Sequence, residues 1–91
     1  MVATTSSTSI VPVVLLVYGR EYCHLCDDMI AALRAMQAQL SFELEVVDVD
    51  SDDELVARYG ERVPVLVAEG RELCYYHLDP VVLDAYLAKI R

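Results

Sequence analysis

The stretch VPVVLLVYGREYCHLC, residues 11–26, decides the fold and most of the chemistry of this chain. Residues 11–17 form a nearly continuous β-branched run, which predicts a central strand that is buried on both faces. Residues 18–23 are predicted to be a loop opened by Gly19. From His24 to Leu40, apolar residues recur at helical spacing among good helix formers, so a long helix is predicted there. The pair Cys23 and Cys26 therefore marks a junction between a strand and a helix.

A second strand and a short helix are predicted next. Residues 42–49 have the composition of a strand. The tetrad SDDE at residues 51–54 reads as a capping box that starts a short helix, which Gly60 ends. The same acidic run, from Asp48 to Glu54, could be taken for a cation site. Its position at a strand end and a helix start favours solvated caps instead.

The remaining residues predict a hairpin and a final helix. Residues 63–68 and 71–75 are expected to be strands joined by a tight turn at Glu69 and Gly70. Asp79 followed by Pro80 marks the start of the last helix, which is expected to reach residue 90. The order β-α-β-α-β-β-α implies a right-handed parallel pair extended by an antiparallel hairpin. We therefore expect an α/β fold with a four-stranded mixed sheet and helices on both faces.

Composition limits the class of protein. The 91 residues fit one domain, with residues 1–9 expected to be a disordered tail and residues 10–91 to be the folded part. Apolar residues make up 56% and charged residues 24%, which excludes a disordered chain. The net charge of −8 argues against binding to nucleic acid or to an anionic membrane. Because the N-terminus lacks a basic signal region and no apolar run could span a bilayer, we expect a cytoplasmic protein. We also expect it to be a monomer.

The sequence Cys23-His24-Leu25-Cys26 has the spacing of a redox-active dithiol. Residues i and i+3 of a first helical turn bring two sulfur atoms within disulfide range. The helix N-terminus stabilises a thiolate, the form that attacks a disulfide. Cys23 is expected at the solvent-facing end of the loop, and Cys26 on the apolar face of the helix. We therefore predict that Cys23 attacks a disulfide and Cys26 resolves the intermediate.

The stretch from Tyr18 to Cys26, together with Val63-Pro64, resembles the glutaredoxin-like proteins of the thioredoxin-fold superfamily, over nearly the whole chain. The resemblance implies a thiol–disulfide oxidoreductase that acts on protein or small-molecule disulfides in cell redox homeostasis. It implies no bound cofactor, with glutathione or a thioredoxin-type reductase as the electron donor. Arg20 would support the thiolate and contact glutathione. Pro64 would follow a cis peptide bond, Val63 would offer backbone hydrogen bonds to substrate, and Asp79 would bind glutathione's γ-glutamyl end.

Several positions depart from the glutaredoxin pattern. His24 and Leu25 replace the usual Pro-Tyr, and Arg62 replaces a Thr. Tyr76 and His77 occupy the place of a Gly-Gly pair whose open backbone admits glutathione. His24, Arg62, Tyr76 and His77 are therefore candidate rim residues of the substrate groove, and glutathione is expected to be a poor partner.

A structural zinc site is the alternative interpretation. Cys74 and His77 form a C-x-x-H motif, which with Cys23 and Cys26 makes a common zinc ligand set. If the hairpin closes at Glu69 and Gly70, Cys74 pairs with Val65, near the active-site edge of the sheet. Without a metal, Cys74 is interpreted mainly as a small buried hydrophobic residue, with participation in redox chemistry as the lesser alternative.

Overall fold

The computed structural model describes residues 13–89 and has the predicted order of helices and strands. The sheet order is β2-β1-β3-β4, with β1 parallel to β2 and the other two pairs antiparallel. The fold is therefore the expected α/β thioredoxin-like fold. Its elements are β1 (Val14–Gly19), α1 (His24–Met36), β2 (Glu43–Asp48), a 3₁₀ turn (Val49–Ser51), α2 (Asp53–Tyr59), β3 (Val65–Ala68), β4 (Arg71–Tyr75) and α3 (Pro80–Lys89).

The helices cover both faces of the sheet, and each face has its own apolar cluster. Alternate residues of a strand point to opposite faces, and in β1 Leu15 and Val17 join the larger cluster while Leu16 and Tyr18 pack against the smaller one. The larger cluster lies under α1 and α3, and its helical members are Met29, Leu33, Leu83, Tyr86 and Leu87. The smaller cluster contains Tyr59 at the end of α2. The central position of β1 fixes the α1 N-terminus above the middle of the sheet.

The predicted boundaries of β1 and α1 were wrong by a few residues. Tyr18 and Gly19 belong to the strand rather than to the loop, because Tyr18 pairs with both Val47 and Val65. The helix ends at Met36 rather than at Leu40. After Met36 the chain tightens into i→i+3 turns, such as the bond from the Gln39 N–H to the Met36 carbonyl at 3.0 Å. Leu40 still packs on the core, which explains why the apolar periodicity of the sequence continues beyond the end of the helix.

The acidic run caps two elements, although the predicted capping box was wrong in one residue. Asp52, not Ser51, is the N-cap of α2, and its carboxylate accepts the Glu54 N–H at 2.8 Å. Ser51 lies in the preceding 3₁₀ turn and donates its hydroxyl to the Asp48 carbonyl at 2.6 Å. The Asp48 carboxylate in turn accepts the Asp50 N–H at 2.9 Å. A short turn therefore separates β2 from α2.

The hairpin contains a bulge that changes the predicted register. Ala68 pairs with Arg71 as expected, but Cys74 pairs with Leu66 and not with Val65. Leu73 is the extra residue, and both Leu73 and Cys74 pack against the larger cluster. A bulge allows two consecutive apolar side chains to share one face of a strand. The predicted pairing of Cys74 with Val65 was therefore wrong.

Tyr75 and Tyr76 are both exposed, at 49% and 42%. Tyr75 is the last residue of β4, an edge strand of the sheet, and Tyr76 follows it. Tyr76 has a φ of 67°, so the chain leaves strand geometry at this residue. Neither ring is therefore drawn into the core.

No helix within residues 13–89 is long and apolar enough to cross a membrane. The predicted disordered tail at residues 1–9, the start of the first strand at residue 11 and the end of the last helix at residue 90 lie outside the described residues.

Candidate active site

Cys23 and Cys26 form a disulfide at the N-terminus of α1, with their Cα atoms 5.2 Å apart. Cys23 is the N-cap residue of α1, and its Sγ accepts the backbone N–H of Cys26 at 3.1 Å. An N-cap position is normally occupied by a side-chain oxygen, which satisfies one of the free N–H groups of the first turn. Here sulfur takes that role. A thiolate on Cys23 would therefore accept a hydrogen bond at the positive end of the helix dipole.

The two sulfur atoms differ in access, as the sequence predicted. Cys26 is 1% exposed and Cys23 is half-buried. The close approach of β1 helps to bury Cys26, because a Cβ added at Gly19 would lie 3.2 Å from the Cys26 Sγ. The sequence pattern predicted Gly19 only as the opening of a loop. Its place at the end of a buried strand, ahead of the cysteine pair, was the available signal for this packing role.

The Val63–Pro64 loop precedes β3, next to the end of β1 that carries Gly19. The peptide bond between these two residues is cis, as predicted. Tyr18 of β1 pairs with Val65 of β3, so in an antiparallel ladder Gly19 is next to Pro64. Neighbouring strands lie about 4.8 Å apart, and Gly19 contacts Cys26. Pro64 therefore lies about one strand spacing from the strand residue that packs against the disulfide.

The backbone of Val63 is available for an intermolecular contact. The neighbouring Pro64 carbonyl accepts the Tyr76 N–H at 2.9 Å, which extends the β3–β4 ladder by one row. By contrast, no backbone hydrogen bond from elsewhere in residues 13–89 occupies the N–H or the carbonyl of Val63. Its side chain packs against the smaller cluster, so the residue is held in place while its polar backbone groups stay free of such bonds.

Arg20 lies on the loop before Cys23, but its guanidinium group is bound by other protein groups. It donates two hydrogen bonds of 3.0 Å to the carboxylate of Asp50 and one of 3.4 Å to the Gly60 carbonyl. The hydrogen bond and the charge of Asp50 raise the pKa of Arg20, and the hydrogen bond from Arg20 lowers the pKa of Asp50. Arg20 therefore links the active-site loop to the turn after β2 and to the end of α2.

Two of the predicted rim residues lie next to the Val63–Pro64 loop: Arg62 precedes Val63 in sequence, and the Tyr76 N–H binds the Pro64 carbonyl. Arg62 pairs with Glu72, with one hydrogen bond at 3.1 Å, and donates a further one to the Arg58 carbonyl at 2.8 Å. Its guanidinium carbon lies 5.6 Å from the centre of the Tyr75 ring, within the range of a cation–π contact. The hydroxyl of Tyr76 donates to the Glu61 carbonyl at 3.0 Å. Both side chains are therefore bulky and held in place by hydrogen bonds and ring packing.

The remaining predicted site residues lie at two helix starts. The exposed His24 places its Nε2 3.3 Å from the Asp28 carboxylate, one helical turn along α1. Asp79 caps α3, because its carboxylate accepts the N–H groups of Val81 and Val82 at 3.0 and 3.3 Å. His77 is exposed in the turn that precedes this cap. The expected glutathione contact of Asp79 therefore competes with a capping role that the sequence also predicted.

The zinc alternative is not supported by the arrangement of its four proposed ligands. Within residues 13–89, no three His, Cys, Asp or Glu side chains form a group that could hold a metal ion. Cys23 and Cys26 are bonded to each other above β1, whereas Cys74 lies on β4, and β3 separates those strands. Cys74 is half-buried against the larger cluster, and burial raises the pKa of its thiol. This environment matches the interpretation of Cys74 as a small hydrophobic residue.

An open cleft next to Cys26 was missed by sequence reasoning. It has a volume of about 280 Å³ and lies between the start of α1 and the end of β2. Its lining residues include the apolar Ile30 and Val46, the neighbouring Val47, and three acidic residues, Glu21, Asp27 and Asp48. The available signal was the presence of acidic residues on both sides of the cysteine pair and at the end of the second strand.

The chain is similar to known proteins over most of its length. A solution structure of a protein from Nitrosomonas europaea has a TM-score of 0.78 and 52% identity, and the match covers 85% of this chain and 93% of that one. An uncharacterized protein from Mycobacterium bovis is 31% identical over 75 residues, which is 77% of each chain. A thioredoxin variant from Halobacterium salinarum has a TM-score of 0.57 and 26% identity, covering 92% of this chain and 79% of that one.

The family model of the glutaredoxin-like domain (DUF836) matches residues 14–88, which include every described strand and the cysteine pair. With a thioredoxin-like sheet and a disulfide at the start of α1, this chain belongs to the glutaredoxin-like domain family.

Proposed function

We propose that this protein is a dithiol thiol–disulfide oxidoreductase. The observation that carries the proposal is the asymmetric disulfide at the N-terminus of α1, with one half-buried and one fully buried sulfur. A hydrogen bond at the helix N-terminus favours the thiolate of the more accessible cysteine. The buried partner is placed three residues away, where it can displace a substrate sulfur from the first cysteine.

The reaction balances with the two cysteines as the source of two electrons. In the reduced protein, the Cys23 thiolate attacks one sulfur of a substrate disulfide and forms a mixed disulfide, and the other substrate sulfur leaves as a thiolate that takes up a proton. Cys26 then loses its proton and attacks the Sγ of Cys23. The second substrate thiol leaves, and the Cys23–Cys26 disulfide forms. The structure corresponds to this oxidised state.

The substrate would lie across the loop at Val63. The backbone N–H and carbonyl of Val63 are the groups expected to pair with an extended substrate segment, since a peptide can add to free backbone groups as a strand does. Arg20 would line the other side of the disulfide, with Asp50 holding its guanidinium. The oxidised protein would then need two electrons from glutathione or from a dithiol reductase in the cytoplasm.

A trapping experiment tests this proposal. The Cys26→Ser variant, mixed with a peptide disulfide, should accumulate a mixed disulfide on Cys23, because the resolving thiol is absent. The Cys23→Ser variant is the matched control and should neither trap nor reduce the peptide. Intact-mass measurement distinguishes the two results. Reduction by the Cys23→Ser variant at the rate of the wild type would overturn the assignment of the attacking thiol.

A further inference from the structure

The cleft beside Cys26 is separate from the Val63–Pro64 loop. It lies on the β2 side of β1, whereas the loop precedes β3 on the other side. A substrate that reaches Cys23 therefore has protein surface on both sides of its reacting sulfur. The cleft's volume of about 280 Å³ lies just below the range of pockets for drug-sized ligands, about 300–1,000 Å³. It suits one long side chain better than a whole small molecule.

The charges around the cleft are predominantly negative. Glu21, Asp27 and Asp48 line it, and all three residues are exposed. Arg20, the basic residue of its lining, is bound to the Asp50 carboxylate. The chain as a whole carries a net charge of −8, so the local and the long-range fields both favour a cationic ligand.

Apolar side chains are the second feature of the cleft, beside its negative charge, that a bound side chain would contact. Ile30 of α1 and Val46 of β2 line the same cleft, and Val46 is 47% exposed. Lysine and arginine side chains bury an aliphatic stem against apolar surface while their charged ends stay in water or against carboxylates. A cleft with apolar walls and acidic side chains at its lining is complementary to that kind of side chain.

We propose that the cleft binds a lysine or arginine side chain next to the reactive cysteine of a polypeptide substrate. This inference rests on the proposed oxidoreductase function and names its substrate class: disulfides in basic protein segments. The Val63 backbone contacts the segment on one side of its cysteine, and the cleft holds the basic side chain on the other. Glutathione, which carries a net negative charge, lacks the group that the cleft binds.

The test compares three peptide disulfides that differ only beside the cysteine, where they carry Lys, Gln or Glu. For the wild type we expect kcat/KM to be about tenfold higher for the Lys peptide than for the Glu peptide, since each carboxylate–ammonium contact at an exposed site is modest. The ratio should fall as salt is added. Equal kcat/KM values for the three peptides would overturn the proposal.

Two double variants test whether the preference for the Lys peptide over the Glu peptide arises at the cleft. Glu21→Gln/Asp27→Asn removes two acidic side chains of the cleft and should bring the Lys-to-Glu ratio close to one. Any effect of Asp27 on the thiolate is common to the three peptides and cancels in the ratio. Glu43→Gln/Asp84→Asn removes the same charge from exposed positions at the start of β2 and on α3 and should keep the preference. A ratio that falls equally in both variants would show a net-charge effect and not a site.

A binding measurement separates this inference from the proposed function. The same peptides with Ser in place of Cys are titrated into the oxidised wild-type protein by calorimetry. Tighter binding of the Lys peptide than of the Glu peptide supports the cleft even if no peptide is reduced, in which case the oxidoreductase proposal fails alone. Equal affinities overturn the cleft, whether or not the peptides are reduced.

Discussion

The carboxylate of Asp50 holds the guanidinium group of Arg20 through two hydrogen bonds of 3.0 Å, across 30 residues of sequence. The resemblance to glutaredoxins implied that Arg20 serves the thiolate and glutathione. The pair with Asp50 gives this arginine a second role, because it fixes the loop before Cys23 to the turn that follows β2. The Asp50 carboxylate also offsets the positive charge of Arg20, which would otherwise favour an anionic substrate.

The Arg20–Asp50 pair should make stability depend on pH. Hydrogen bonding to Arg20 lowers the pKa of Asp50 in the folded protein, below the ordinary value of about 3.9 for an unfolded chain. A lowered folded pKa gives stabilisation that is fully present above the unfolded pKa and is lost as the pH falls through the folded one. Asp50→Asn should therefore lower the free energy of unfolding at neutral pH, with the difference from wild type vanishing in acid.

Urea unfolding at a series of pH values measures this difference. Asp84→Asn, on the exposed part of α3, is the control for loss of one carboxylate. A difference between wild type and Asp50→Asn that is as large in strong acid as at neutral pH would contradict the expectation.

Gly19 should be sensitive to the addition of one methyl group. An added Cβ would lie 3.2 Å from the Sγ and 3.3 Å from the Cβ of Cys26, so the cysteine must move. Overpacking of this kind costs about 1–3 kcal/mol. We expect Gly19→Ala to lower the free energy of unfolding and to slow closure of the Cys23–Cys26 disulfide, measured as the rate at which a mixed disulfide on Cys23 is released.

Gly70→Ala is the matched control for that substitution. Gly70 has a φ of 79° and nothing within 4 Å of an added Cβ, so alanine costs about 1–2 kcal/mol through left-handed backbone alone. It lies in the β3–β4 turn, away from the cysteines, and should leave disulfide closure unchanged. If both variants close at the wild-type rate, Gly19 does not position Cys26.

Local sequence signals predicted the parts of the fold that depend on one segment. The β-branched run before Tyr18 predicted a central strand, and the i, i+3 spacing of Cys23 and Cys26 predicted a buried and an accessible sulfur. The predicted order of strands and helices then implied a mixed four-stranded sheet. These features depend on periodicity and helix geometry, which a single segment carries.

Features that depend on two distant segments could not be predicted in the same way. The bulge at Leu73 depends on which side chains of β4 face the core. Because of it, Cys74 pairs with Leu66 and not with the predicted partner, Val65. The Arg20–Asp50 pair joins residues 30 positions apart. The cleft needs β2 and α1 to be placed together, and neither segment alone indicates it.

The three thiols of the reduced protein should react at different rates with an alkylating agent. Cys23 should react first, because it is half-buried rather than fully buried and is placed to be a thiolate. Burial raises the pKa of Cys74, so this thiol should remain protonated and react slowly at neutral pH. Cys26, at 1% exposure, should also react slowly. Peptide mapping after timed alkylation measures the three rates.

Cys74→Ala is the companion measurement. It should leave disulfide reduction unchanged, since the Cys74 side chain packs against the larger cluster and no redox step uses it. Equal alkylation rates for Cys23 and Cys26 would mean that the helix start does not distinguish the two sulfurs.

Glutathione should be a poor partner, and the obstruction should lie at Tyr76 and His77. These side chains occupy the entry to α3, where a glutaredoxin-like site needs open backbone for the γ-glutamyl end of glutathione. The Tyr76 ring packs edge-on against Tyr75, with centroids 5.0 Å apart, and its hydroxyl binds the Glu61 carbonyl, so it does not move aside freely. Each charge-assisted hydrogen bond that glutathione fails to form there should weaken its binding by about 1.5–3 kcal/mol, roughly ten- to hundredfold.

The measurement is turnover of a glutathione mixed disulfide at saturating glutathione, in the wild type and in the double variant Tyr76→Gly/His77→Gly. We expect low turnover in the wild type and a gain of about tenfold or more in the variant, because a glycine pair opens the backbone. Tyr76→Phe is the control, since it removes the hydrogen bond to Glu61 but keeps the ring, and it should gain little. Efficient turnover by the wild type with no gain in the double variant would show that these side chains do not obstruct glutathione. In that case the ordinary glutaredoxin activity would stand.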